Sequence, residues 1–119
     1  MTALPLLPQI LVGVGGALGA TLRYALGETV QTDGYPTSTL LVNVLGTFAL
    51  AALTFAGAGD DAMLLFGTGA CGAFTTFSSF SVDVVALVEN ERFGAAAFHA
   101  LGNLVGAGVA IGLAWLLIG

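Results

Sequence analysis

The segment Gly72-Ala73-Phe74-Thr75-Thr76-Phe77-Ser78-Ser79-Phe80 sets a glycine, two threonines and two serines around three phenylalanines, inside a stretch without charge. At bilayer depth, hydroxyls and a glycine loosen a helix and free backbone groups. Such backbone is tolerated there only if it is buried in protein or lines a cavity. The segment is therefore expected to be a broken helix near Gly72–Thr75, at a binding or permeation site. Phe77 and Phe80 are three apart and share a helix face. They serve either as packing aromatics or as electropositive ring edges for a small anion. Where the helix unwinds, the carbonyls of Gly72 and Thr75 are free to hold a small cation.

Other polar residues fall inside apolar stretches. Asn43 shares a face with Thr39, four residues before it. Its amide is either interhelical glue, worth about 1 kcal/mol, or a donor to a permeating anion. His99 and Asn103 are also four apart. His99 is either hydrogen-bonded packing or, because imidazole titrates near neutrality, a proton relay. Arg23 is read as structural: it either snorkels to the interface or pairs within the fold. Asp83 is expected to reach an aqueous vestibule.

The elements that must position these residues follow from the charges. The chain has 119 residues, 57% hydrophobic and 8% charged, with a mean hydropathy of +1.01. Arg23, Glu28, Asp33, Asp60, Asp61, Asp83, Glu89, Glu91 and Arg92 divide it into uncharged stretches at 1–22, 34–59, 62–82 and 93–119. A spanning helix needs about 20 mainly apolar residues, so each stretch is long enough to cross. The reading is an all-α integral membrane protein, a single domain over 1–119 with helices near 5–27, 37–58, 62–89 and 94–117. No basic residue precedes Arg23, so the first stretch reads as a span rather than a signal peptide.

Several functions are disfavoured. One cysteine, Cys71, excludes an internal disulfide. There is no Cys/His spacing for a metal, no phosphate-binding loop and no Ser/His/Asp set, so the chain does not read as an enzyme. The loops are acidic, lysine is absent and the net charge is −5. That opposes docking on nucleic acid or anionic lipid and suits a surface hydrated at high salt, hence a halophilic source. Gly15/Gly19 and Gly102/Gly106 have the small-xxx-small spacing that lets helices approach closely, either within the chain or between subunits. Four short helices enclose too little volume for a pore, so a dimer is expected.

Three segments together resemble the Fluc (CrcB) family of fluoride channels. Gly15-Gly16-Ala17-Leu18-Gly19-Ala20-Thr21-Leu22-Arg23-Tyr24 is similar to GGxxGAxxRY. Thr39-Leu40-Leu41-Val42-Asn43-Val44-Leu45-Gly46-Thr47-Phe48 is similar to TLxVNxxGxF. Gly69 to Ser81 is similar to GxxGGxTTFSTFS. The resemblance implies an antiparallel, dual-topology dimer in the cell membrane, with two fluoride pores lined by both subunits. It implies ring edges from Phe77 and Phe80, hydrogen bonds from Asn43, and further pore positions at Thr39, Thr76, His99 and Asn103. It also implies a structural, non-transported Na⁺ on the Gly72 and Thr75 carbonyls, and a structural Arg23.

The chain departs from the family pattern at Ala73, Ser79 and Ser38, at Asp83 in place of a glutamate, and at His99 and Asn103 where tyrosine and serine are common. The second subunit is either a copy of this chain or a paralogue. In the paralogue case the chain is also read as a non-conducting partner. A small dual-topology multidrug transporter is the remaining reading, but it requires a carboxylate within the first span, and none precedes Glu28.

Overall fold

The computed structural model describes residues 6–30 and 35–119. It is helical, and its four spans are long and apolar enough to cross a membrane: Leu7–Thr29, Thr37–Phe55, Asp60–Glu89 and Phe93–Ile118. The first is α1 (Leu7–Thr29), with Pro8 in its first turn, where a missing N–H costs nothing. The expected start at residue 5 lies outside the described residues, as does Asp33.

The second is α2 (Thr37–Phe55). It stops short of the expected residue 58 because Gly57 takes φ +71°. The Gly57 amide then reaches back to the Thr54 carbonyl at 3.2 Å and the Ala58 amide to Leu53 at 3.1 Å. This paired closure satisfies the orphan carbonyls of the helix end.

The third span is composite. A short α3 (Asp60–Ala62) leads into a π-helical segment, Met63–Cys71, followed by α4 (Gly72–Phe74). Thr75 and Thr76 are extended, at φ −82°, ψ 161° and φ −152°, ψ 120°. The chain resumes as α5 (Phe77–Glu89). Its end repeats the closure seen after α2, with Arg92 donating to Leu87 at 2.8 Å and Glu91 to Val88 at 2.9 Å. Here the left-handed position, φ 58°, is held by Glu91. The last span is α6 (Phe93–Ile118).

The two parts of the third span choose different neighbours. The π-segment and α4 lie along α1, α2 lies along α6, and α5 turns onto α6. Glycines make the first of these contacts possible. A Cβ on Gly15 would strike the Leu65 carbonyl, and one on Gly19 the Ala70 carbonyl. A Cβ on Gly69 would lie 2.8 Å from the Val12 carbonyl oxygen. Carbonyls of the wide π-turns thus meet bare Cα–H groups of α1, a contact that recurs between closely packed helices. Gly106 on α6 instead makes room for a side chain, since a Cβ there would lie 2.7 Å from Val44 Cγ2. Both small-residue stripes therefore serve packing within the chain.

The bundle is a thin slab, 55 × 30 × 21 Å. Its buried apolar residues are mostly small: Ala51, Cys71, Ala96, Ala110 and Ala114, with Val42 and Leu87. Large apolar residues such as Ile10, Val14, Leu18, Leu104, Leu116 and Leu117 face outward. In lipid that distribution is the expected one, since association rests on close packing rather than on hiding apolar surface from water.

Candidate functional site

The site is built where α2 and α6 face the extended residues Thr75 and Thr76. Gly46 on α2 admits them, because a Cβ there would strike Thr75 Cγ2. One turn away, Asn43 clasps Thr76 by both edges. The Thr76 amide donates to Asn43 Oδ1 at 2.8 Å, and Asn43 Nδ2 donates to the Thr76 carbonyl at 3.1 Å. The carboxamide thereby pairs both backbone polar groups of the extended Thr76.

Thr76 in turn opens α5. Its hydroxyl accepts from the Ser79 amide at 3.0 Å, the bond of an N-cap. These two diversions bear on two carbonyls. In an unbroken helix the Thr76 amide would close on Gly72 and the Ser79 amide on Thr75. Both amides are instead taken by side chains, so the Gly72 and Thr75 carbonyls lack their helical donors, as do those of Ala73 and Phe74 at the end of α4. Gly72 is exposed and Thr75 half-buried. Among the described residues no three His, Cys, Asp or Glu side chains converge. The oxygens at this point are backbone carbonyls, the Thr75 and Thr76 hydroxyls and the Asn43 and Asn103 amides, the neutral ligand types that hard cations take.

An open groove of about 850 Å³ runs over this region. Its lining includes Asn43, Gly72, Thr75, Thr76, Phe77 and Phe80, with Asn103 from α6, and contains no charged side chain. The rings of Phe77 and Phe80 lie 5.9 Å apart, tilted by 40°. Phe77 is 79% exposed and stands out from the single chain, whereas Phe80 is half-buried.

Asn43 Nδ2 also donates to Asn103 Oδ1 at 2.8 Å. Asn103 Nδ2 donates to the His99 carbonyl at 2.8 Å and lies 3.3 Å from His99 Nδ1. His99 is fully buried beneath Phe80, with ring centroids 5.3 Å apart. Its Nε2 faces Asp83 Oδ2 at 3.6 Å, beyond hydrogen-bond length.

Of the sequence-predicted residues, Asn43, Thr76, Phe77, Phe80 and Asn103 meet on the groove with Gly72 and Thr75. Thr39 is buried on α2 and His99 on α6, neither on the groove lining. Arg23 is half-buried on α1 and outside the groove.

Two residues were given no role by the sequence reading. Gly46 makes room for Thr75. Tyr35 stacks edge-on against His99 and Phe98, at 5.5 and 5.7 Å. The signal for Tyr35 was its position, an amphipathic aromatic at the mouth of a span. Burial pushes its phenol up from the usual value, so it stays neutral and able to donate at physiological pH.

Residues 10–118 match the model of the CrcB-like protein family, Camphor Resistance (CrcB). The chain is 67% identical over 111 residues to fluoride-specific ion channel FluC 1 of Halobacterium salinarum, covering 93% of each. It is 56% identical over 108 residues to fluoride-specific ion channel FluC 2 of Haloarcula marismortui, covering 91% of each. To fluoride-specific ion channel FluC of Thermus thermophilus it is 44% identical over 102 residues, covering 80% of this chain and 82% of that one.

Proposed function

The chain belongs to the CrcB-like family, a family of channels rather than enzymes, and we propose that it is a passive, fluoride-selective channel of the cell membrane that lets fluoride leave the cytoplasm. The name of its relatives supports the choice of ion. The groove supports the means: two carboxamides and two aromatic rings line it without a charged side chain.

Fluoride is small and strongly hydrated. Taking a small bare ion into a medium of low polarity costs on the order of tens of kcal/mol. Donors and electropositive edges must replace the water shell. A full cationic side chain would hold the anion too long, and conduction needs sites that also release. Asn43 and Asn103 supply amide N–H groups, Phe77 and Phe80 supply ring edges, and Thr76 closes the site from the backbone side. Thr39 and His99 act from behind the lining, and Arg23 is structural.

The working unit is an antiparallel dimer with two pores, a second subunit covering the exposed groove. The exposure of Phe77 supports this, since a ring set to face an ion needs a second wall. The third span works as a broken helix whose Gly72 and Thr75 carbonyls hold a structural Na⁺ that is not transported. The Thr76 and Ser79 amides are taken by side chains, which leaves these two carbonyls without helical donors and is compatible with that task. When bound, the ion supplies positive potential and a tie across the subunits.

The test is fluoride efflux from liposomes containing the purified chain alone, read by a fluoride electrode with chloride as control. Fast fluoride efflux without chloride efflux is expected. Asn43→Ala and Phe80→Ile are expected to lower it by at least about tenfold, the loss of roughly 1.4 kcal/mol of ion stabilisation, with the dimer still assembled. Wild-type efflux in both variants would falsify the assigned pore.

A further inference from the structure

In the described state, both N–H groups of Asn43 Nδ2 have protein acceptors, the Thr76 carbonyl and Asn103 Oδ1. A carboxamide has only two donors, so none is left for an anion. What keeps Asn103 Oδ1 turned toward Asn43 is the other end of its carboxamide. Asn103 Nδ2 points at the His99 carbonyl and at Nδ1 of the ring. A neutral imidazole carries one proton, and the nitrogen facing a donor is the acceptor. The His99 proton therefore belongs on Nε2, toward Asp83.

A second proton on the ring changes this. Nδ1 becomes a donor and can no longer face the Asn103 amide. The two ends of a carboxamide have nearly the same shape but opposite hydrogen-bond character. Half a turn of Asn103 gives Nδ1–H an oxygen and sends the Asn103 N–H groups toward Asn43. The turn gives up the Asn103 Nδ2 bond to the His99 carbonyl and brings Oδ1 toward that acceptor, so it is driven only when Nδ1 carries a proton; the carbonyl keeps the helical bond from the Asn103 backbone amide. Asn43 then loses one acceptor, and N–H groups of both asparagines converge on the groove with no protein oxygen between them.

We infer that His99 is a positioning residue: its protonation turns Asn103 and opens the Asn43 and Asn103 donors to an anion in the groove. This rests on the channel reading of that groove. Among the described residues, the ionisable groups facing His99 are Asp83 from α5 and Tyr35 from the segment before α2. Neither α2 nor the rest of α6 carries one. Asp83 Oδ2, His99 Nε2 and Tyr35 Oη are all buried without a hydrogen-bond partner. Asp83 is thus placed to balance the imidazolium charge. The sign is fixed: the protonated form is the anion-binding form, so flux rises as pH falls through the His99 titration.

The chain has one histidine, which makes the test direct. Imidazole-¹⁵N-labelled protein in lipid nanodiscs is titrated by NMR in sodium fluoride and in sodium chloride of equal ionic strength. Reciprocity requires the anion to favour protonation as much as protonation favours the anion. A tenfold coupling therefore raises the His99 midpoint in fluoride by about one pH unit, with the proton of the neutral form on Nε2. In proteoliposomes corrected for protein-free leakage, efflux is expected to rise roughly tenfold as pH is lowered through the His99 midpoint found by NMR.

His99→Gln should flatten that profile. Asn103→Ser, which keeps the histidine, should abolish the effect of fluoride on its midpoint. Equal midpoints in the two salts, or a wild-type slope retained in His99→Gln, overturns the inference and leaves the channel reading standing. Absence of flux at every pH overturns both.

Discussion

The two parts of the third span solve opposite problems. From Met63 to Phe74 the chain lies against α1 through backbone contact, with Gly15, Gly19 and Gly69 giving up their side chains so that carbonyl oxygens can meet Cα atoms. From Phe77 to Glu89 the contact with α6 runs through side chains, Phe80 over His99 and Asp83 beside it. Backbone contact has almost no freedom to rearrange. A layer of rings, carboxamides and one imidazole has several arrangements of similar shape. The first part is built to stay, the second to exchange partners, and the groove lies at their junction.

The sharpest way to break that comparison is to give the α1 seam a side chain. Gly19→Val is expected to cost more than about 3 kcal/mol, because the obstacle is the Ala70 carbonyl rather than a flexible side chain. Loss of monodisperse protein in size-exclusion chromatography would show it. A valine tolerated without loss would mean the seam is looser than its glycines indicate.

Thr76→Ala acts at the junction and removes the hydroxyl that caps α5. The expected loss is about 1 kcal/mol, read as a lower unfolding midpoint, and Thr76→Ser should recover most of it. Failure of serine to restore stability would assign the effect to the lost methyl group.

The smallest effect belongs at the far end of α5. Glu91 sits at φ 58°, a conformation that glycine adopts freely. Glu91→Gly is expected to raise stability by about 0.5–1 kcal/mol, visible as a modest increase in the unfolding midpoint.

The spans were legible because charge placement is a local signal. Nine charged residues cut the chain, and helices occupy the gaps. Asn43, Phe77 and Phe80 stood out as candidates because an amide, or hydroxyls set among rings, is costly anywhere in an apolar stretch. The partnerships were not legible. Asn43 meets Thr76 across 33 residues and Asn103 across 60, and no local period encodes such pairs. The reading left Gly15/Gly19 open between the chain and its partner for the same reason: close approach has one sequence signature whichever helix comes near. The π-turns of Met63–Cys71 were invisible too. They follow from how that segment must present its carbonyls to α1.

Extended residues between helical segments are often where a fold bends. The double clasp of Asn43 on Thr76 works against that here. Two bonds from one carboxamide hold both polar groups of the same extended residue, so Thr76 cannot swing as a hinge without breaking both at once. Any rearrangement is left to the terminal torsion of a side chain such as Asn103, turned when its partner His99 changes protonation, while the backbone beside it keeps its shape. An ion crossing here would meet a fixed floor and a wall whose chemistry can change.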